Sequence, residues 1–168
     1  MTDKTGDGCL EKAAISLFFE PRSIAVIGSV REGFFGGYVA IKSLLNAGYD
    51  GKIFPINPTC KEVHGLRAYP SVMMVDGQID LALLIINARS IPDVLKECAA
   101  KGIKGVIVVS DGFAEMDTEG ARLQKEMVKI ARGLGIRIIG PNTAGIANAS
   151  NGFNPCPFED GAYKLREG

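Results

Sequence analysis

The chain has no surplus charge of either sign: 19 basic residues balance 19 acidic ones, for a formal net charge of zero. That excludes the broad electrostatic footprint of a nucleic-acid binder or of a protein held on an anionic membrane. Long hydrophobic runs are missing too. The longest, such as Leu81 to Ile86 and Gly105 to Val109, are far too short to cross a bilayer and match buried strands of a parallel sheet instead. The first residues, Met1-Thr2-Asp3-Lys4, are polar and form no signal peptide. There is one histidine, His64, and the cysteines (Cys9, Cys60, Cys98 and Cys156) are scattered without a C-x-x-C pair. No clustered ligand set for a metal results, and free thiols in a cytoplasmic protein are the plain expectation. What the chain does have is 46% hydrophobic residues, which excludes disorder, and a length of 168 residues, which suits one domain with a real core.

An apolar strand, Ser23-Ile24-Ala25-Val26-Ile27-Gly28, runs into a glycine-rich turn, Ser29-Val30-Arg31-Glu32-Gly33-Phe34-Phe35-Gly36-Gly37, and then an apolar helix. Strand, glycine-rich turn and helix make a phosphate site, because amides at a helix start attract anionic oxygens and glycines let backbone come close. The spacing is G-x-x-x-x-G-x-x-G, not the G-x-G-x-x-G of nicotinamide enzymes. The second strand, Ile53 to Ile56, ends in Asn57-Pro58, where a fold that holds an adenosine ribose by its hydroxyls usually has Asp or Glu. A nucleotide is therefore expected, and NAD is disfavoured.

Strands and helices alternate along the rest. A helix over about 36–47 stops at Gly48, and a short extended piece near 63–70 precedes a helical turn over 71–75. A strand over 81–86 leads to a helix capped by Ser90, with Pro92 and Asp93 in its first turn. After a strand over 105–109, Asp117 or Thr118 caps a longer helix to about Arg132, and a last strand over 136–139 closes at Gly140-Pro141-Asn142. The expected fold class is α/β, a Rossmann-like, doubly wound, mainly parallel five-stranded sheet in a single domain. Residues 1–10 are expected as a mobile tail, with a helical segment over 10–19; 11–148 form the domain, and 149–168 a linker or arm toward a missing second domain. Ligands of such sheets sit at the carboxyl ends of the strands. That rule selects Gly28 to Gly37, Asn57-Pro58, Asn87-Ala88, Ser110-Asp111-Gly112-Phe113 and Gly140-Pro141-Asn142.

Taken together, these stretches resemble the CoA-binding N-terminal domain of the nucleoside-diphosphate-forming acyl-CoA synthetases, which include ADP-forming acetyl-CoA synthetase and the succinyl-CoA ligase alpha chain. The similarity covers about residues 16–148. It is carried by the segment from Leu17 to Ser29, by Gly48 to Pro58, by Gly65 to Ser71, and by Asp80-Leu81-Ala82, Gly112-Phe113-Ala114-Glu115 and Gly140-Pro141-Asn142. The resemblance implies CoA or acyl-CoA bound along the rim. Gly28, Ser29, Val30, Arg31 and Gly36 would take the phosphates, and Asn57 and Pro58 would border the nucleotide. The pantetheine arm would run past Asn87, Ala88 and Ser110 toward Asp111, Gly112 and Asn142. Lys61 or Arg31 would meet a phosphate as a cation. It also implies downstream ligase and nucleotide-grasp domains or subunits as partners, so that this chain alone binds CoA without making acyl-CoA. No metal, nucleic acid or membrane is expected as a partner, and a homo-oligomer is left open. The alternative is a stand-alone CoA- or nucleotide-binding regulatory module.

This chain departs from the family's pattern at several points. Asn87 replaces a common proline, Asp111 adds a charge near the expected thiol end, Thr143 stands where cysteine is frequent, and Phe34 and Phe35 occupy the first loop, where they could block or line the pocket. Each residue also has a plainer reading. The glycines suit a structural turn, and Asn57-Pro58 suits a strand terminator. Asn142 suits a turn, and Asp111 and Glu115 suit a solvated loop that could alternatively supply a base near the thiol. His64 reads as a turn histidine with no part in phosphate transfer, and Cys98 as core filler.

Overall fold

The computed structural model describes residues 15–158; the expected tail, the first half of the first helical segment and Cys9 lie outside them, as does the chain after Phe158. Residues 15–19 are helical. There follow β1 (Ser23–Gly28), α1 (Gly37–Asn46), β2 (Lys52–Ile56) and a small hairpin, β3 (Glu62–Val63) with β4 (Leu66–Arg67). Then come β5 (Leu81–Ile85), α2 (Ile91–Lys101), β6 (Gly105–Val108), α3 (Thr118–Gly133) and β7 (Arg137–Ile139). The main sheet has five strands in the order β2-β1-β5-β6-β7, all parallel, with Ile24 opposite both Ile53 and Leu81. This is the α/β architecture that the alternating pattern predicts.

Alternation along each strand sends successive side chains to opposite faces. Ala25, Ile27, Ala82, Leu84, Val106 and Val108 face one layer, where Leu95 and Cys98 of α2 and Met127 and Ala131 of α3 cover them. Ile24, Val26, Leu81, Leu83 and Ile107 face the other, covered by Ala40, Ile41 and Leu44 of α1. Cys98 is fully buried, and burial pushes its thiol up to about 12, in keeping with a filler role.

Helix ends follow local chemistry, with one correction. Asp117 caps α3, its carboxylate accepting the Gly120 amide at 2.7 Å. α2 has proline and Asp93 in its first turn, and Gly102 follows its end in the left-handed region. Ser90, expected to cap α2, makes no side-chain cap, because it already belongs to a 3-10 turn over Ala88–Ser90. The cap there is Asn87, whose Oδ1 accepts the Arg89 amide at 2.9 Å.

The stretch after β7, read from sequence as coil or arm, runs over the α1 face as a strap as far as it is described. Asn148 and Asn151 both donate to the Phe19 carbonyl, at 3.1 and 2.9 Å. Phe153 is fully buried, its ring 5.4 Å from that of Tyr49. The Tyr49 hydroxyl donates to the Pro21 carbonyl at 2.8 Å. Burial, and then Asp80 and Asp50, raise its pKa well above the usual phenol value. Beyond Phe153 the strap reaches the first loop: the Gly36 amide donates to the Pro157 carbonyl at 2.9 Å, and Phe35 and Phe158 form an antiparallel bridge.

Candidate functional site

In this strand order the chain winds outward in opposite directions from β1 and β5, so a crevice opens at their carboxyl ends. A groove of about 1110 Å³ lies there. Its floor is Ile27, Ile85 and Val109, and its walls are the loops that leave β1, β2, β5, β6 and β7.

The first loop enters through Gly28, whose φ is +146° and whose added Cβ would overlap the Ile85 carbonyl oxygen. Glycine is needed there to let β1 and β5 stay close where the groove begins. Ser29, Val30 and Arg31 line the groove. Gly36 does not, contrary to expectation, because its amide is held by Pro157 and the Gly37 amide by the Ser29 carbonyl at 3.0 Å. The α1 start is thus partly satisfied by the protein itself, and the part of the turn that faces the groove is the loop just after β1.

Asn57 ties two strands together at the groove. Its Nδ2 donates to the Gly28 carbonyl at 2.8 Å, while Oδ1 accepts from the Thr59 amide, the Thr59 hydroxyl and the Cys60 amide, each at 3.0 Å. Aspartate could not replace it, since a carboxylate would face the Gly28 carbonyl with no proton to donate. The missing acid after β2 thus has an internal cause. Pro58 lines the groove beside it, whereas Lys61 is exposed outside the lining, because the turn fixed by Asn57 carries the chain on toward the β3–β4 hairpin.

Ser110 performs the matching task between β5 and β6. Its hydroxyl donates to the Ile86 carbonyl at 2.6 Å and accepts the Ile86 amide at 3.1 Å. Its own carbonyl accepts the Asn142 amide at 3.0 Å, which draws in the β7 loop, where Asn142 has a φ of +53°. Asn87, Ser110, Asp111 and Asn142 all line the groove. Ala88 and Gly112 do not. Ala88 is turned into the core, and the Gly112 amide is taken by Glu115. Glu115 accepts from Gly112 and Phe113 at 2.8 and 3.1 Å, and backbone hydrogen bonds hold its carboxyl below the usual range. It braces the loop, outside the groove lining.

The structure adds Ser71, Ser90, Val94, Glu97 and Phe158 to the lining. Ser90, Val94 and Glu97 fall at i, i+4 and i+7, one face of a helix, so the α2 contribution was readable from spacing. Phe158 had no such signal. Glu97 accepts from the Ser71 hydroxyl at 2.8 Å. His64 stays clear of the groove, its Nε2 3.1 Å from the Tyr38 carbonyl oxygen at the hairpin tip. Among the described residues, no group of three His, Cys, Asp or Glu side chains could hold a metal ion, and no helix is long and apolar enough to cross a membrane.

A parallel sheet in this order, with a glycine-gated loop after β1 and one continuous groove across the switch point, defines a doubly wound nucleotide-binding domain. Residues 22–149 match the family model described as "CoA binding domain", and the chain belongs to that family. It is 42% identical over 135 residues to acetate–CoA ligase (ADP-forming) II of Archaeoglobus fulgidus, covering 80% of this chain and 20% of that protein. It is 41% identical over 140 residues to the alpha subunit of acetate–CoA ligase (ADP-forming) II of Pyrococcus furiosus, covering 83% of this chain and 30% of that one. A solved structure from Candidatus Korarchaeum cryptofilum, titled dinucleotide forming acetyl-coenzyme A synthetase 1 in complex with phosphate and ADP, superimposes with a TM-score of 0.78 at 33% identity. That match covers 83% of this chain and 30% of the other. The chain thus spans a fifth to about a third of the relatives it matches.

Proposed function

We propose that this chain binds CoA or an acyl-CoA along the groove, as the CoA-binding part of an ADP-forming acyl-CoA synthetase. The observation that carries this is the continuity of one groove from the Gly28 loop to the Asn142 loop in a chain of the CoA-binding family. In this reading the pyrophosphate lies against Ser29, Val30 and Arg31, with the guanidinium as its cation. The adenosine end borders Asn57 and Pro58. The pantetheine amides pass Asn87 and Ser110, and the thiol end reaches Asp111 and Asn142. The residues of the groove bind and orient, and none is assigned a bond-making step. Ligation of an acid to CoA then needs the ligase and nucleotide-grasp parts, supplied by further chain or by a partner subunit. A cytoplasmic setting belongs to the same reading, supported by the free thiols Cys60, Cys98 and Cys156.

Calorimetric titration with CoA, dephospho-CoA and NADH tests it. CoA is expected to bind at micromolar concentration and NADH far more weakly. No heat at high micromolar CoA, or tight NADH binding with indifference to CoA, would overturn the reading.

A further inference from the structure

We infer that the open edge of β7, walled by α3 on one side and by the helical turn over 15–19 on the other, takes an extended, acidic-flanked apolar segment of a partner polypeptide as a sixth strand. The site shares no lining residue with the groove read above as the CoA site, so the inference stands apart from that reading.

β7 is last in the sheet order, with no strand on its outer side among the described residues. The Arg137 amide donates to the Lys104 carbonyl at 2.8 Å. Pairing alternates along a strand, so Arg137 and Ile139 bond to β6 and the Ile138 amide and carbonyl point outward. That edge lies in a slot of about 490 Å³, lined by Ile138 and Ile139. Met127, Val128 and Ala131 of α3 wall one side of it, and Ile15, Phe18 and Phe19 the other. The walls oppose each other because α3 packs in one layer of the core and Phe18 in the other.

Charge selects what enters. Neither this slot nor the adjoining hollow on α3, which shares Gln124, Val128 and Arg132 with it, is lined by an acidic residue. Lys125, Lys129, Arg132 and Arg137 do line them, and none of the four has an ion pair among the described residues. The acids of α3 lie on another stripe, where Glu119 and Glu126 both pair with Arg122. The helix dipole accounts for Arg132, in the last turn of α3; the other three cations lie outside that turn. Four unpaired cations on one face of a chain with zero net charge favour an acidic partner. A second copy of the chain would instead bring like charges together. A bilayer needs apolar side chains that protrude, whereas Phe18, Met127 and Ala131 are buried here, and in the apolar lining only Ile15 and Phe19 are exposed. An extended segment offers backbone groups to Ile138, apolar side chains to both walls and flanking acids to the exposed cations. One relative is named as an alpha subunit, so a partner chain is in keeping with the family.

The test titrates the 168-residue chain with two capped peptides, Asp-Glu-Val-Phe-Val-Glu-Asp and Lys-Lys-Val-Phe-Val-Lys-Lys, and follows its backbone amides by NMR. The acidic peptide should bind at least about tenfold tighter than the basic one. It should shift the Ile138 and Val128 signals and slow hydrogen exchange at the Ile138 amide. Lys129→Glu combined with Arg137→Glu, both at exposed positions, should invert the preference. If the acidic peptide does not bind, the cations only guard a strand edge and the inference falls. It falls as well if both peptides bind equally, or if the acidic one binds without slowing exchange at Ile138. In the peptide-free chain, concentration-dependent shifts at Ile138 would assign the edge to a second copy, and contacts to it from residues 1–14 would assign it to the chain's own start. Phosphatidylglycerol vesicles that shift the same amides would assign the face to a membrane. Each of these three results overturns the inference.

Discussion

At the scale of single residues, the groove is built by side chains whose hydrogen bonds are largely spent on the protein. Asn57 is the clearest case, with one donor bond to Gly28 and three acceptor bonds closing the turn to Cys60. Asn57→Asp keeps the shape and the acceptor and removes the donor, leaving the Gly28 carbonyl facing a carboxylate. A loss of about 1–3 kcal/mol is expected from breaking one such bond and opposing two acceptors, read as a drop in the urea midpoint. Asn57→Ser, which gives up reach but adds no charge, should cost less. If both variants unfold at the wild-type midpoint, the Asn57 bridge contributes nothing. Ser110 works the same way between β5 and β6. The polar residues at these strand ends are scaffold and lining at once, which is why sequence spacing could place them without separating the two roles.

At the scale of elements, the strap and the β6–α3 loop hold the groove's edges. Phe153→Ala empties a fully buried site beside Tyr49. Large-to-small changes of this kind cost about 3–5 kcal/mol, and loosening the strap should also free the Gly36 amide from Pro157. Urea unfolding measures the first effect, and faster hydrogen exchange at Gly36 the second. Wild-type exchange at Gly36 in the variant would show that the strap does not hold the first loop. In the β6–α3 loop, hydrogen bonds from backbone amides lower the Glu115 pKa, so the folded state favours its ionised form. The stability this lends is fully present above the ordinary carboxylate value and disappears as pH falls through the lower, folded value. Against Glu115→Gln, the wild type should therefore gain its largest Tm advantage near neutrality and lose it in acid. A difference independent of pH would remove the charge from the explanation. The elements also show what the sequence could disclose. Continuous apolar runs and helix punctuation located β1, α1, β2, β5, α2, β6, α3 and β7, and the strand-end rule found most of the lining. Phe153 and Phe158 escaped because Asn148 to Phe158 has no repeat: its burial depends on contacts with Tyr49 and Phe35, more than 100 residues earlier in the chain. That Gly36 lies outside the groove lining was hidden for the same reason, since its partner is Pro157.

At the scale of the whole molecule, charge decides how the groove meets its ligand. The net charge is zero, so no long-range field draws in a polyanion. Arg31 is the cation among the described lining residues, and Asp111 and Glu97 oppose it. In the CoA reading proposed above, a ligand with several phosphate charges would be held by local contact, by Arg31 and by backbone amides, against a weakly unfavourable background. Charges in direct contact are screened less than distant ones, for which the Debye length is about 10 Å at 0.1 M salt. The affinity for CoA should accordingly change less than about threefold between 50 and 500 mM salt, the scale expected when few exposed charges are involved. Arg31→Ala should weaken binding by about tenfold, as loss of a charge-assisted hydrogen bond does. Removing the two opposing carboxylates by Asp111→Asn with Glu97→Gln should tighten binding and raise the association rate, because the groove then presents net positive charge. A steep fall in wild-type affinity with salt would mean that a basic surface outside this groove guides the ligand, and that the local balance of Arg31 against Asp111 and Glu97 is not what sets recognition.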